Sequence, residues 1–201
     1  MRLVTFGCSY TAGIGLKDVH PRITISSLSW PNKLSSLIGC DLYNNGHTGA
    51  SNKEITWHIQ NFDFEENDFV IIQWTFFHRS CYFVQQSDHI AIEQMHRWKK
   101  DKFIQNYFKY LSHTEDFPID TYTRMDYVNR FLKDKNIKTF NFLARRDDRR
   151  QYKWHDVEIL DTAIQDYQGG KYPLASDRQH PGEKAHEAIA NSLYNEIKES
   201  L

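Results

Sequence analysis

Long apolar runs are missing from this chain. Nowhere do about eighteen uncharged apolar residues stand together, so no membrane-spanning helix is expected. The first residues, MRLVTFGCSY, lack the basic start and apolar stretch of a signal peptide, and the expectation is a soluble, cytoplasmic protein. Cysteine is scarce: Cys8, Cys40 and Cys81 are an odd number without a CxxC pair, which argues against a disulfide framework and against a thiolate zinc site. Charge of one sign is missing too. Twenty-five Lys and Arg against 26 Asp and Glu leave a net charge of −1, so no field favours nucleic acid or anionic lipid, and neither is expected as a partner. What the chain does have is aromatic rings, 14% of 201 residues beside 25% charged ones, which puts many flat apolar faces into an otherwise polar sequence.

Strand and helix patterns alternate along the chain. Arg2 to Phe6 is a short, partly β-branched apolar run that stops at Gly7 and reads as a strand. Ser29-Trp30-Pro31 reads as a helix start, with Ser29 as cap, proline in the first turn, Leu34, Leu37 and Ile38 as the apolar face and Gly39 as the stop. Asp41 to Asn45 forms a second strand, and Ser51 or Asn52 caps a helix carrying Ile55 and Ile59. Phe69 to Ile72 is continuously apolar, as in a strand covered on both faces. Residues 76–117 read as a helical insertion, a lid or a subunit interface, with Ser87 or Asp88 capping a long helix that aligns Ile92, Met95, Phe103, Tyr107 and Leu111. Beyond it come a helix over Thr121 to Lys135, a strand over Ile137 to Phe142 and a short strand near Val157 to Leu160. A loop follows at Gly169-Gly170, and a final helix opened by Pro181 carries Ala185, Ile189, Leu193 and Ile197. This alternation implies one α/β domain over residues 1–201, with a parallel sheet and right-handed crossovers.

In such a sheet the ligand crevice lies beyond the carboxyl ends of the strands. The residues there are Gly7-Cys8-Ser9 after the first strand, Gly46-His47-Thr48-Gly49 after the second, Trp74-Thr75 after the third, and Asp177-Arg178-Gln179-His180 near the end of the chain. In order and position these blocks resemble the SGNH hydrolases, the GDSL-type lipases and esterases. Gly7-Cys8-Ser9 stands for the Gly-Asp-Ser turn, Gly49 for the glycine of the second block, and Asp177-x-x-His180 for the carboxyl-terminal pair. The third block departs from the family: Ile72-Gln73-Trp74-Thr75 has no Asn, and Thr75 aligns where it would stand. The resemblance implies a three-layer, flavodoxin-like α/β fold, no cofactor, and an ester substrate, a small molecule or a carbohydrate.

The chemistry of these residues can be stated on its own. A serine hydroxyl needs a base within hydrogen-bond reach, and an imidazole titrates near neutral pH, which suits His180 to Ser9. Asp177 would hold the other ring nitrogen, and the N–H groups of Ser9 and Gly49, with help from Thr75, would receive the oxyanion. Taken singly, each residue has a plainer reading: Ser9 as a turn residue, Asp177 and His180 as a helix start, Cys8 as a small buried residue. Their joint occurrence carries the catalytic one. Trp74 and Arg79 are substrate-binding candidates, Arg79 for an anionic group, against a solvated loop charge as the alternative. Trp30, Phe76, Phe77 and Trp98 are further candidates for a pocket wall, and Arg145 to Arg150 reads as a solvated loop. His186 reads as a helix residue at the surface or packed locally. The same site would serve an acyltransferase if an acceptor hydroxyl replaced water, and the missing Asn leaves room for a binding protein without activity.

Overall fold

A computed structural model describes residues 1–20, 24–87, 89–96, 99–111, 114–149, 152 and 157–201; Asp88, Trp98 and Arg150 lie outside the described residues. Strand β1 (Arg2–Gly7) runs into a one-turn helix α1 (Ser9–Ala12), followed by α2 (Trp30–Ile38), β2 (Asp41–Gly46), α3 (Asn52–Gln60) and β3 (Asp68–Trp74). A hairpin of β4 (Ser80–Gln85) and β5 (Ile90–Met95) comes next, then α4 (Lys102–Leu111), α5 (Asp116–Asp134), β6 (Lys138–Leu143) and α6 (Glu183–Ile197).

The main sheet has four parallel strands in the order β2-β1-β3-β6, with Phe6 beside Asn45 on one side and Ile72 on the other. Every residue of β3 is buried, which explains its unbroken apolar run: helices cover both faces of a central parallel strand. Helix α2 packs with α6, and α3 with α5. The order places a topological switch point between β1 and β3, because the chain leaves β1 toward β2 and then crosses back to β3. A ligand crevice is expected outside the carboxyl ends at that point.

Three local readings are corrected. The segment from Ser80 to Met95 is an antiparallel hairpin, with Phe83 opposite Ile92 and Tyr82 opposite Glu93, so Ile92 and Met95 do not share a helix. The aromatic and β-branched run Cys81 to Val84 favours a strand, and Ile92 and Met95, whose spacing of three would share a helix face, lie on opposite faces of β5. Only α4 keeps the helix, with Phe103, Tyr107 and Leu111 four apart. Val157 to Leu160 forms no strand; Leu160 instead donates its N–H to the Asn141 carbonyl at 2.8 Å, and the bridge to β6 comes at Ala163. Pro181 precedes the last helix, which is capped by Gly182.

Two buried polar side chains fix the framework around the switch point. Gln73, in β3, lies under the turn that follows β1: its Oε1 accepts from the Cys8 N–H at 3.3 Å, the Cys8 thiol at 3.2 Å and the Thr11 hydroxyl at 3.3 Å. Its Nε2 donates to the Trp74 carbonyl at 2.8 Å, so the amide is used at both ends. His186, in α6, is fully buried, and its Nδ1 accepts the Trp30 N–H at 3.0 Å, one of the first-turn donors of α2 that no helical carbonyl can reach. Burial, helped by the positive charges of Lys33 and His180, lowers the His186 pKa from 6.5 to about 3.

Gln73→Leu should strand the Cys8 N–H and the Thr11 hydroxyl and lower the unfolding free energy in urea by about 1–3 kcal/mol per orphaned donor; a loss under about 1 kcal/mol would mean that another acceptor replaces the amide. His186 takes up its proton only in the unfolded chain between pH 6.5 and about 3, so stability should be full above pH 6.5 and fall as the solution is acidified. The slope should approach ~1.4 kcal/mol per pH unit. In His186→Asn, where the amide oxygen can still cap α2, the slope between pH 6.5 and 4.5 should shrink by most of that amount. Parallel stability curves for the two proteins would contradict the assignment.

Candidate active site

The backbone at Cys8 is still extended, with φ −97° and ψ −158°, and the chain turns into α1 at the next residue. Ser9 therefore starts a helix at the end of a central strand. The N–H groups of Thr11 and Ala12 close on the Cys8 carbonyl at 2.9 and 3.1 Å, and Gln73 braces the turn from below. The Ser9 N–H is in the first turn, where a helix offers no carbonyl to receive it.

The opposite half of the site is built in the loop before α6. Asp177 Oδ1 accepts the N–H groups of Gln179 at 2.9 Å and His180 at 3.0 Å, folding the loop onto its own carboxylate. Asp177 Oδ2 then lies 2.5 Å from His180 Nδ1, and His180 Nε2 lies 2.9 Å from Ser9 Oγ. Burial pushes the Asp177 carboxyl up, but the two backbone N–H groups and the His180 ring outweigh it and hold the group below the usual carboxylate range. An ionised carboxylate only accepts, so Nδ1 carries a hydrogen, and in the neutral ring Nε2 then faces the serine hydroxyl as an acceptor. The loop is held to the segment after α1 by the Ser176 hydroxyl, which donates to the Gly15 carbonyl at 2.9 Å. Gly15 has φ +86°, and a Cβ there would fall 2.6 Å from Asp177 Oδ2, so the close approach depends on a glycine.

Gly49 stands in the turn after β2, with φ +76°. The turn is tied to β1 by the His47 N–H on the Gly7 carbonyl at 3.0 Å, and to the hairpin by Gln94, whose Nε2 donates to the Thr48 carbonyl at 2.7 Å. A Cβ on Gly49 would meet Gln94 Oε1 at 2.2 Å, so any other residue there would displace the Gln94 amide and adopt a left-handed φ as well. At the end of β3, Thr75 is buried, and its N–H donates to Asn52 Oδ1 at 2.8 Å while Asn52 Nδ2 donates back to the Thr75 carbonyl at 3.1 Å. The Thr75 hydroxyl is buried and has no hydrogen-bond partner. In the sequence Asn52 stands only as a possible helix cap, and Gln73 carries no assigned role. The structure makes both of them the ties that set the third strand's exit against its neighbours. The cue available in the sequence was an amide beside each of the second and third blocks.

Of the substrate-binding candidates, Trp74 is corrected: it is fully buried, with its indole N–H on Asn141 Oδ1 at 2.9 Å, and offers no face to a ligand. Trp30 and Phe77 are likewise core residues, against Phe142 and Tyr122. Arg79 is half-buried, with its guanidinium over the Phe76 ring at 5.0 Å. Tyr10 connects this corner to the histidine, its ring 5.4 Å from His180 and 5.9 Å from Phe76.

His47, in the second block, and His58, in α3, meet in space. His47 and His58 stack at 3.8 Å, and their ligand atoms and those of Glu54 lie within 4.8 Å of one another. The rings are parallel to within 4°, so their in-plane lone pairs do not converge on a point and the pair stands as a packing contact. His186 and His180 share no ligand geometry, since His186 is committed to the α2 N-terminus.

No protein-family model matches the chain, and no curated protein matches it by sequence. Solved structures do match. A protein described as lipolytic, of the G-D-S-L family, from Desulfitobacterium hafniense DCB-2 aligns over 96% of this chain and 98% of its own at 10% identity and a TM-score of 0.57. A lipase/acylhydrolase from Enterococcus faecalis aligns over 100% and 96% at 15% identity and 0.57. A carbohydrate esterase family 2 enzyme with a carbohydrate binding domain, from Corynascus thermopiles, aligns over 99% of this chain and 66% of its own at 12% identity and 0.61. The parallel sheet, its order and its flanking helices give this chain the fold of the SGNH, or G-D-S-L, hydrolases.

Proposed function

We propose that this protein is a serine ester hydrolase that removes a small acyl group, with Ser9 as nucleophile, His180 as general base and acid, and Asp177 as the orienting carboxylate. The observation that carries the reading is the continuous relay from Asp177 Oδ2 through His180 to Ser9 Oγ, at 2.5 and 2.9 Å. Ser9 Oγ attacks the ester carbonyl and passes its proton to His180 Nε2. The imidazolium, steadied by Asp177, returns the proton to the departing alkoxide as the C–O bond breaks. Water, deprotonated by the same nitrogen, then cleaves the acyl-serine. The N–H groups of Ser9 and Gly49 receive the oxyanion, joined by the Thr75 hydroxyl, whose lack of a partner leaves it free for that role. A carbohydrate ester is the substrate class suggested by the carbohydrate esterase among the fold neighbours.

A second reading, an SGNH-fold binding protein without turnover, is favoured by the third block, where no Asn side chain stands and the Thr75 N–H is already engaged by Asn52. A fluorophosphonate probe separates the two. It should modify Ser9 in the wild-type protein, and the labelling should disappear in His180→Ala, while Asp177→Asn should lower kcat on a small acetyl ester by about 10²- to 10⁴-fold. A folded protein whose Ser9 stays unmodified would support the binding reading and end the catalytic one.

A further inference from the structure

Beside the relay, a cavity of about 380 Å³ is lined by Phe76, His78, Arg79, Met95, His96, Phe108 and Arg145, and among the described residues no Asp or Glu lines it. Arg79 and Arg145 both lie over the Phe76 ring, at 5.0 and 5.7 Å, and neither makes an ion pair among the described residues. Nη1 of Arg79 is buried and has no hydrogen-bond partner. Buried donors on a cation are normally satisfied, and two guanidinium groups beside one ring, without an ion pair among the described residues, leave positive charge that an anion would offset. The cavity is connected to the chemistry through Tyr10, which follows Ser9 in the chain and touches both His180 and Phe76. Burial raises the Tyr10 pKa, and the charges of Arg79 and Arg145 pull it back, as expected of two cations that face the wall of the active site. Burial, then the charges of Lys99 and Arg79, lowers the pKa of His96, so the rim of this cavity disfavours a further positive charge.

We propose that this cavity binds an anionic group, a carboxylate or a phosphate, on the ester that Ser9 cleaves, with Arg79 and Arg145 as its ligands and Phe76 as the surface that holds their guanidinium planes. The substrate class is then an ester bearing a negative charge several bonds from the scissile carbonyl. This rests on the esterase reading for the reaction, but binding of the anion does not. The chain's near-neutral net charge is no obstacle, because the positive groups are gathered at one corner.

The test uses two matched pairs of esters. The 4-nitrophenyl monoester of glutaric acid against 4-nitrophenyl valerate places the charge on the acyl side, and 4-acetoxybenzoate against 4-acetoxybenzamide places it on the alcohol side. In at least one pair the anionic ester should be preferred in kcat/KM by about 10- to 100-fold, the range of a charge-assisted hydrogen bond. That ratio should collapse toward unity in Arg79→Gln and in Arg145→Gln, and recover in part in Arg145→Lys. Arg145 is exposed, so its variants keep the test valid if Arg79→Gln does not fold. Equal rates within both pairs, or ratios unmoved by the variants, would overturn the proposal while Ser9 labelling and neutral-ester turnover left the esterase reading intact. If no ester is turned over, titration of glutarate and 4-hydroxybenzoate into Ser9→Ala decides it: saturable binding of either that weakens 10-fold or more in the Arg145→Gln background supports the site, and no binding removes it.

Discussion

The contact between His180 and Ser9 joins positions 171 residues apart, and the placement of almost everything else in the site follows from it. A hydrogen bond of this kind requires both ends to be fixed before they meet, since the entropy of closing so large a loop must be met by the fold. One end is fixed by a strand in the middle of a parallel sheet. The other is fixed by a carboxylate that first folds its own loop, through the N–H groups of Gln179 and His180, and only then holds the imidazole. Gly15 lets the two segments approach, because any side chain there would collide with that carboxylate.

The polar groups of the interior divide into two kinds. Gln73, Asn52, Asn141 and His186 each accept or donate within the protein and hold strands and helices in place. Among the described residues, five buried side-chain atoms have no hydrogen-bond partner: the Thr75 hydroxyl, Arg79 Nη1, Trp30 Nε1, His58 Nε2 and His186 Nε2. An unsatisfied buried group costs about 1–3 kcal/mol. In the proposed reaction an ester would complete the first of these and its charged substituent the second.

Much of this was legible in the sequence. The first and third strands are short apolar runs, the helix after Ser29, the helix after Ser51 and the last helix show one-period patterns beside Gly, Pro or a capping residue, and the structure has all five. The order of the blocks carrying Ser9, Gly49, Asp177 and His180 was legible because a parallel sheet puts strand ends on one rim. The hairpin from Ser80 to Met95 was not, since Ile92 and Met95 stand three apart as on one helix face, and the contact that ties its second strand to the turn at Gly49, Gln94 on the Thr48 carbonyl, exists only in the folded chain. The bracing role of Gln73 was not legible for a related reason. Strand alternation says which face a side chain leaves from, but not that the neighbouring turn descends to meet it. Trp74 was misread because an aromatic at a strand end is equally a core residue, and only the Asn141 acceptor decides between them.

Nucleophilic attack by Ser9 would be seen most plainly in the acyl-enzyme itself. On rapid mixing of the protein with 4-nitrophenyl acetate, the account predicts release of nitrophenolate coupled to the gain of one acetyl group, located on Ser9 by peptide mass spectrometry, with slower release on deacylation. Hydrolysis without any acetylated serine, or acetyl carried on Cys8 instead, would contradict it.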